Sequence, residues 1–177
     1  MIKFILIALI FSALSTHAQE IRNVAKTNIA APFFNAVSLS FERTLNKSHS
    51  LNVTFNFLDQ SAIVFTEYSG YQITPEYRFY LSKKVSPEGL YVAPYLRYSN
   101  LTFDHGFFTS TKGKYKGLGL GNALGYQWLA GKSNWLSIDA FFGMHFQAGH
   151  YQVEDDGDND LPVIGLRGGV LVGLPFE

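Results

Sequence analysis

Cysteine is absent from all 177 residues. This excludes a disulfide framework, a thiolate metal site and a lipid-modified N-terminal cysteine. Neither sign of charge dominates, with 14 basic and 14 acidic side chains. A nucleic-acid partner, which calls for a basic surface, is therefore not expected. Beyond the first 14 residues no apolar run is long enough for a transmembrane helix. Proline is scarce, at 6 residues, so Pro75 and Pro94, in the middle of strand-like segments, stand out.

The N-terminus has the layout of a secretion signal. Met1-Ile2-Lys3 is a short basic segment, residues 4–14 are apolar apart from Ser12, and Ser15-Thr16-His17-Ala18 supplies small residues before a cleavage point. Residues 1–18 are read as a signal peptide, too short in its apolar run to span a bilayer as a helix. Their removal takes one charge, Lys3, and leaves 159 residues with 13 basic and 14 acidic side chains. Residues 19–177 are of a length for one domain.

The mature chain is rich in aromatics, with 10 Tyr, 16 Phe and 2 Trp in the whole sequence. It falls into eight strand-length segments, at about 23–31, 36–45, 50–58, 71–81, 90–100, 115–128, 135–147 and 162–176. Short turns are expected at 46–49, 82–89 and 131–134, and longer loops at 59–70, 101–114 and 148–161, with 32–35 the short member on the long-loop side. Alternation of short and long connections is the habit of outer-membrane barrels, with short periplasmic turns and longer extracellular loops.

Each segment has two unlike faces. Val37, Leu39 and Phe41 alternate with Ser38, Ser40 and Glu42; Leu51, Val53, Phe55 and Phe57 alternate with Asn52, Thr54 and Asn56. Ile73, Tyr77, Phe79 and Leu81 oppose Thr74, Glu76, Arg78 and Tyr80, and the segments at 135–147 and 162–176 repeat the pattern. Successive strand side chains point to opposite faces, so each segment carries one lipid-compatible face. A soluble barrel would turn the apolar face inward. Three features favour the opposite sense: charges of both signs on the polar face, aromatics flanking the apolar one (Tyr71, Tyr98, Tyr126, Trp128, Trp135, Phe176), and the alternating loop lengths.

The polar face carries Lys26, Glu42, Glu76, Arg78, Arg97, Asp139 and Arg167. An eight-stranded interior is just wide enough for side chains to fill, and buried charges have to pair. These seven are expected to form a salt-bridge plug in the lumen rather than a conduit. Asp156, Asp158 and Asp160, within the acidic run 154–160, have the opening spacing of a calcium loop, but the Gly and terminal Glu of an EF-hand are missing. A solvated loop is the simpler reading, with the three aspartates kept as candidate metal ligands. Gly117, Gly119, Gly121 and Gly125 lack the spacing and following helix of a dinucleotide loop and are read as making room for large lumen neighbours or letting the strand coil. Asp104, His105, Ser110 and Thr111 in one loop are residue types of a hydrolase without a triad geometry. His145, on the polar face, is read as an interior histidine. Pro75 and Pro94 cannot donate to a ladder, so bulges are expected there, with the fourth and fifth strands neighbours.

Lys26-Thr27-Asn28, the run Pro75-Glu76-Tyr77-Arg78-Phe79-Tyr80, Gly89-Leu90-Tyr91 with Pro94-Tyr95, Gly125-Tyr126-Gln127-Trp128, and Trp135 with Asp139 and Gly143 resemble a family of small outer-membrane barrels common in Bacteroidetes, catalogued only as a domain of unknown function. The Pro-Glu-Tyr-Arg segment is the most specific part. The resemblance implies a barrel like OmpA, OmpX and OmpW in architecture, and no catalytic residues. Phe176 is followed by Glu177, a departure from the terminal aromatic often read by the outer-membrane assembly machinery.

The expectation is an all-β, eight-stranded antiparallel up-and-down transmembrane β-barrel in the outer membrane of a Gram-negative bacterium. It would be a monomer with a structural or surface-interaction role, in contact with outer-membrane lipid, lipopolysaccharide, the assembly machinery and an unidentified extracellular ligand. No cofactor and no enzymatic activity are expected. The alternatives are a transporter or lateral conduit for small or apolar solutes, and a lipid A-modifying enzyme.

Overall fold

The structure is a computed structural model that describes residues 23–63, 66–81, 87–105, 111–131, 134–153, 157–160 and 163–176. The signal-peptide segment lies outside the described residues. The strands are β1 (Asn23–Asn28), β2 (Ala36–Asn46), β3 (His49–Ile63), β4 (Thr66–Tyr80), β5 (Gly89–His105), β6 (Thr111–Ala130), β7 (Leu136–Val153), β8 (Gly157–Asp160) and β9 (Val163–Phe176), with a 3-10 turn over Ala31–Phe34. Every pairing is antiparallel. Neighbours in sequence pair from β1 to β7, β7 pairs with β9, and β9 returns to β1 with Asn23 opposite Phe176.

β8 runs along β7 ahead of β9, with Val153 opposite Gly157 and Gln147 opposite Val163. The two short strands thus make one stave, and the sheet is a closed barrel of eight. Closure leaves no unpaired sheet edge. Asn23, Phe176 and the ends of β2, β4 and β6 share one end of the barrel, and the longer hairpins rise from the other.

Alternation becomes an inverted polarity. Ser38, Ser40, Glu42 and Thr44 of β2 are buried, whereas Val37, Leu39 and Phe41 are exposed. On β6, Leu118, Leu120, Asn122, Leu124, Tyr126 and Trp128 face out, and Gly119, Gly121, Ala123, Gly125 and Gln127 face the lumen. From Leu118 to Trp128 is about 34 Å of strand at ~3.4 Å per residue. At the tilt of small barrels, ~35–45°, this is an apolar belt about 25 Å tall.

Aromatic rings border the belt at two levels. Near the longer hairpins Tyr71 lies 6.2 Å from Phe55 and 6.1 Å from Tyr98. Near the turns Tyr126 and Trp128 lie 4.4 Å apart, and Phe41 meets Phe176 at 6.2 Å.

The glycines of β6 fit the tyrosines of β5. Register sets Tyr91 opposite Gly125 and Tyr95 opposite Gly121. A Cβ on Gly125 would stand 2.4 Å from the Tyr91 ring, and one on Gly121 would stand 2.7 Å from that of Tyr95. Only glycine leaves the rings that space.

Two expectations are corrected. The segments 59–70, 101–114 and 148–161 are largely strand: β3 and β4 reach Ile63 and Thr66, β5 and β6 reach His105 and Thr111, and β7 reaches Val153. Past the belt the polarity reverses, with Leu101 and Tyr115 buried inside and Thr102, Lys114 and Lys116 exposed outside, so the lipid-facing pattern is lost while the ladder continues. Nor do Pro75 and Pro94 form bulges. The β4–β5 register passes from Ile73↔Tyr98 through Glu76↔Tyr95 to Phe79↔Val92 without a shift. Each proline leaves a gap in a ladder that keeps its register. The shifts that do occur lie between Thr44 and Asn46 and between Leu58 and Ser61.

Candidate functional site in the lumen

Lys26 (β1), Glu42 (β2), Glu76 and Arg78 (β4), Arg97 (β5), Asp139 (β7) and Arg167 (β9) are all buried inside the barrel. Their inward parity places them there, and closure brings β4 and β7, three staves apart, within side-chain reach.

The lower half of the lumen holds one connected network. Lys26 Nζ donates to Glu42, to Gln127 Oε1 at 2.6 Å and to Asp139 Oδ2 at 2.9 Å. Arg78 Nη1 donates to Asp139 Oδ2 at 2.7 Å and to Gln127 Oε1 at 3.1 Å, while its Nε and Nη2 both reach Glu76 Oε2, at 3.2 and 3.1 Å. Tyr80 and Ser50 donate to Glu42, and Tyr91 donates to Asp139 Oδ1 at 2.7 Å. The Arg78 guanidinium lies over the Tyr91 ring at 4.4 Å. Arg167 Nη1 comes to 2.6 Å from Glu76 Oε1, an ion pair by distance whose angles are not those of a hydrogen bond. Three cations (Lys26, Arg78, Arg167) thus face three carboxylates (Glu42, Glu76, Asp139). Burial of ions in a low dielectric is tolerable only with such complete pairing.

Arg97 stands apart from this balance. Its hydrogen bond among the described residues runs from Nε to Thr74 Oγ1 at 3.2 Å, with no carboxylate partner. Arg167 spreads over Tyr95 and Phe141, at 4.8 and 4.6 Å from the ring centres. His145 is held between Tyr95 Oη at 3.1 Å and Gln147 Oε1 at 2.9 Å. The upper lumen is thus richer in positive charge than the lower.

Reasoning from the sequence overlooked Gln127, Tyr91 and Ser50 as members of the network. Gln127 shares the inward parity of the β6 glycines, and that parity was the available signal. Of the acidic run, Asp156 lies outside the described residues, while Asp158 and Asp160 belong to β8, with backbone alone described. Among the described residues no cluster of three or more His, Asp or Glu could hold a metal ion. Ser110 is outside the described residues as well. His105 and Thr111 face each other in the β5–β6 ladder, and Asp104 lies 3.8 Å from Lys112.

A protein-family model described as "Protein of unknown function (DUF3575)" matches residues 4–160. No curated protein and no solved structure matches the chain.

Proposed function

Because the chain belongs to that family, whose description assigns no activity, we propose its function from the barrel itself: a monomeric outer-membrane protein of a Gram-negative bacterium with a structural or surface-interaction role and a lumen closed by ion pairs. The observation that carries the reading is the inverted polarity. Seven charged side chains are buried inside, while Leu118, Leu120, Phe142, Phe146, Ile164 and Leu166 are more than half exposed outside. In water such an exterior would be an extended apolar patch far beyond what soluble monomers tolerate. In a bilayer it is the required surface, and the belt matches the ~25 Å apolar band of outer-membrane barrels. The signal-like residues 1–18 support export, and lipid, lipopolysaccharide and the assembly machinery are the partners this reading brings.

The lumen network supports a plug over a pore, because Lys26, Arg78, Glu42 and Asp139 bridge staves up to three apart. The test is heat-modifiability of the protein in fractionated membranes. A faster-migrating unboiled band in the outer-membrane fraction is expected; a detergent-free soluble protein with no shift would overturn the reading.

A lateral conduit for apolar solutes is the second reading. The observation favouring it is the thinned β4–β5 ladder at Pro75 and Pro94. Apolar material co-purifying with the wild type and lost when a disulfide ties β4 to β5 would support it.

A further inference from the structure

We infer that the outer face of β6, where it rises toward the longer hairpins, binds the phosphate groups of an anionic glycolipid in the surrounding leaflet. The inference rests on the membrane reading above. Lys112, Lys114 and Lys116 occupy three successive outward positions and all are exposed. Register sets Asp104, Thr102 and Asn100 of β5 opposite them on one flank, and Gln152 and His150 of β7 opposite Lys114 and Lys116 on the other. Lys112 has an acidic neighbour, Asp104 at 3.8 Å. No carboxylate stands in register beside Lys114 or Lys116. Their flanks in register are a hydroxyl, two amides and an imidazole, none of them negatively charged.

What lies beneath identifies the ligand as a lipid. Leu118 and Leu120 continue the same face of β6, with Phe146 opposite Leu120 on β7, exposed to 64%, 64% and 70%. Lys116 and Leu118 are two residues apart, about 7 Å along the strand. A phosphorylated head group against Lys114 and Lys116 would therefore lay its acyl chains on Leu118, Leu120 and Phe146. Free phosphate would use the cations and leave the apolar floor uncovered. The described acidic groups at this end flank the lysines without pairing in register with Lys114 or Lys116: Asp104 sits beside Lys112, Asp158 and Asp160 of β8 lie one strand beyond Gln152 and His150, and Asp59 and Glu67 lie on β3 and β4. Basic residues at a membrane surface attract anionic lipids by this same mechanism.

The full chain is first folded into phosphatidylcholine vesicles and checked by the heat-dependent gel shift, which reads membrane insertion alone. Retention of bisphosphorylated lipid A is then measured by native mass spectrometry, beside dephosphorylated lipid A and inorganic phosphate as a competitor. The wild type is expected to retain the phosphorylated lipid. K114Q/K116Q is expected to lose about thirtyfold in affinity with the gel shift intact, and K114R/K116R to keep it. Equal retention by the Gln pair, equal retention of the dephosphorylated lipid, or displacement by millimolar phosphate would each overturn the inference. Absence of the gel shift would instead overturn the membrane reading, and the lipid site with it.

Discussion

Replacing Asp139 by Asn tests whether the lumen network holds the barrel together. Asp139 is completely buried and accepts from Lys26 Nζ, Arg78 Nη1 and Tyr91 Oη. The amide is nearly isosteric but uncharged, so three cations would face two carboxylates, Glu42 and Glu76. Removing one partner of a buried ion pair costs about 3–5 kcal/mol, because the charge left behind has lost its compensation. D139N should therefore lower the free energy of unfolding by about that amount. K26M should do similar damage from the opposite side. The double variant restores the charge balance and should be more stable than the two losses added together, by about 1–3 kcal/mol for residues in direct contact. Urea titration of the folded protein in vesicles measures all four, followed by the fluorescence of the only two tryptophans, Trp128 and Trp135. A D139N cost below about 1 kcal/mol, or strict additivity in the double variant, would refute the claim that these charges stabilise as a set.

Other outcomes follow from the same geometry. L120R places a charge on the outer face in the apolar belt and should cost about 2–4 kcal/mol at mid-bilayer depth, read as lost membrane assembly; normal assembly would show that the inside and outside have been assigned the wrong way round. G125A drives a methyl against the Tyr91 ring and should cost about 1–3 kcal/mol by overpacking, with G125A/Y91F recovering little because the ring remains. In planar bilayers the wild type should show no steady large conductance, and D139N/K26M, which removes two of the charges that tie the lumen network together, should show more frequent openings; a wild-type pore of large constant conductance would contradict the plug.

The sequence was most legible where one face meets apolar surroundings and the other does not. Val37 to Phe41 and Leu51 to Phe57 alternate cleanly, and β2 and the lower part of β3 lie where that alternation puts them. Legibility failed beyond the belt. Residues 59–63 and 101–105 are strand, and across the latter the outward apolar face is lost: Leu101 is buried in the lumen while Thr102 is exposed, because the backbone ladder persists where the outer face is no longer selected for oil. Parity alone located the seven lumen charges on one face. It could not say that Arg97 would be left with Thr74 while Glu76 is shared by Arg78 and Arg167, since such partners depend on the relative height of strands that closure sets. Pro75 and Pro94 follow a related logic: a missing N–H does not demand an extra residue, because the ladder simply omits the bond.

The fit of β6 glycines to β5 tyrosines bears on how the protein comes to be built. A strand that slips by one residue exposes its charges to lipid and is rejected by polarity. A slip of two keeps every residue on its proper face, so polarity is blind to it. In this hairpin such a slip would set Tyr91 against Ala123 or Gln127 instead of Gly125, and in either direction a ring would meet a side chain where it now meets none. The β5–β6 hairpin thus carries its own alignment key. It can find its pairing while the remaining strands are still unjoined, and offer a correctly indexed template to which they add.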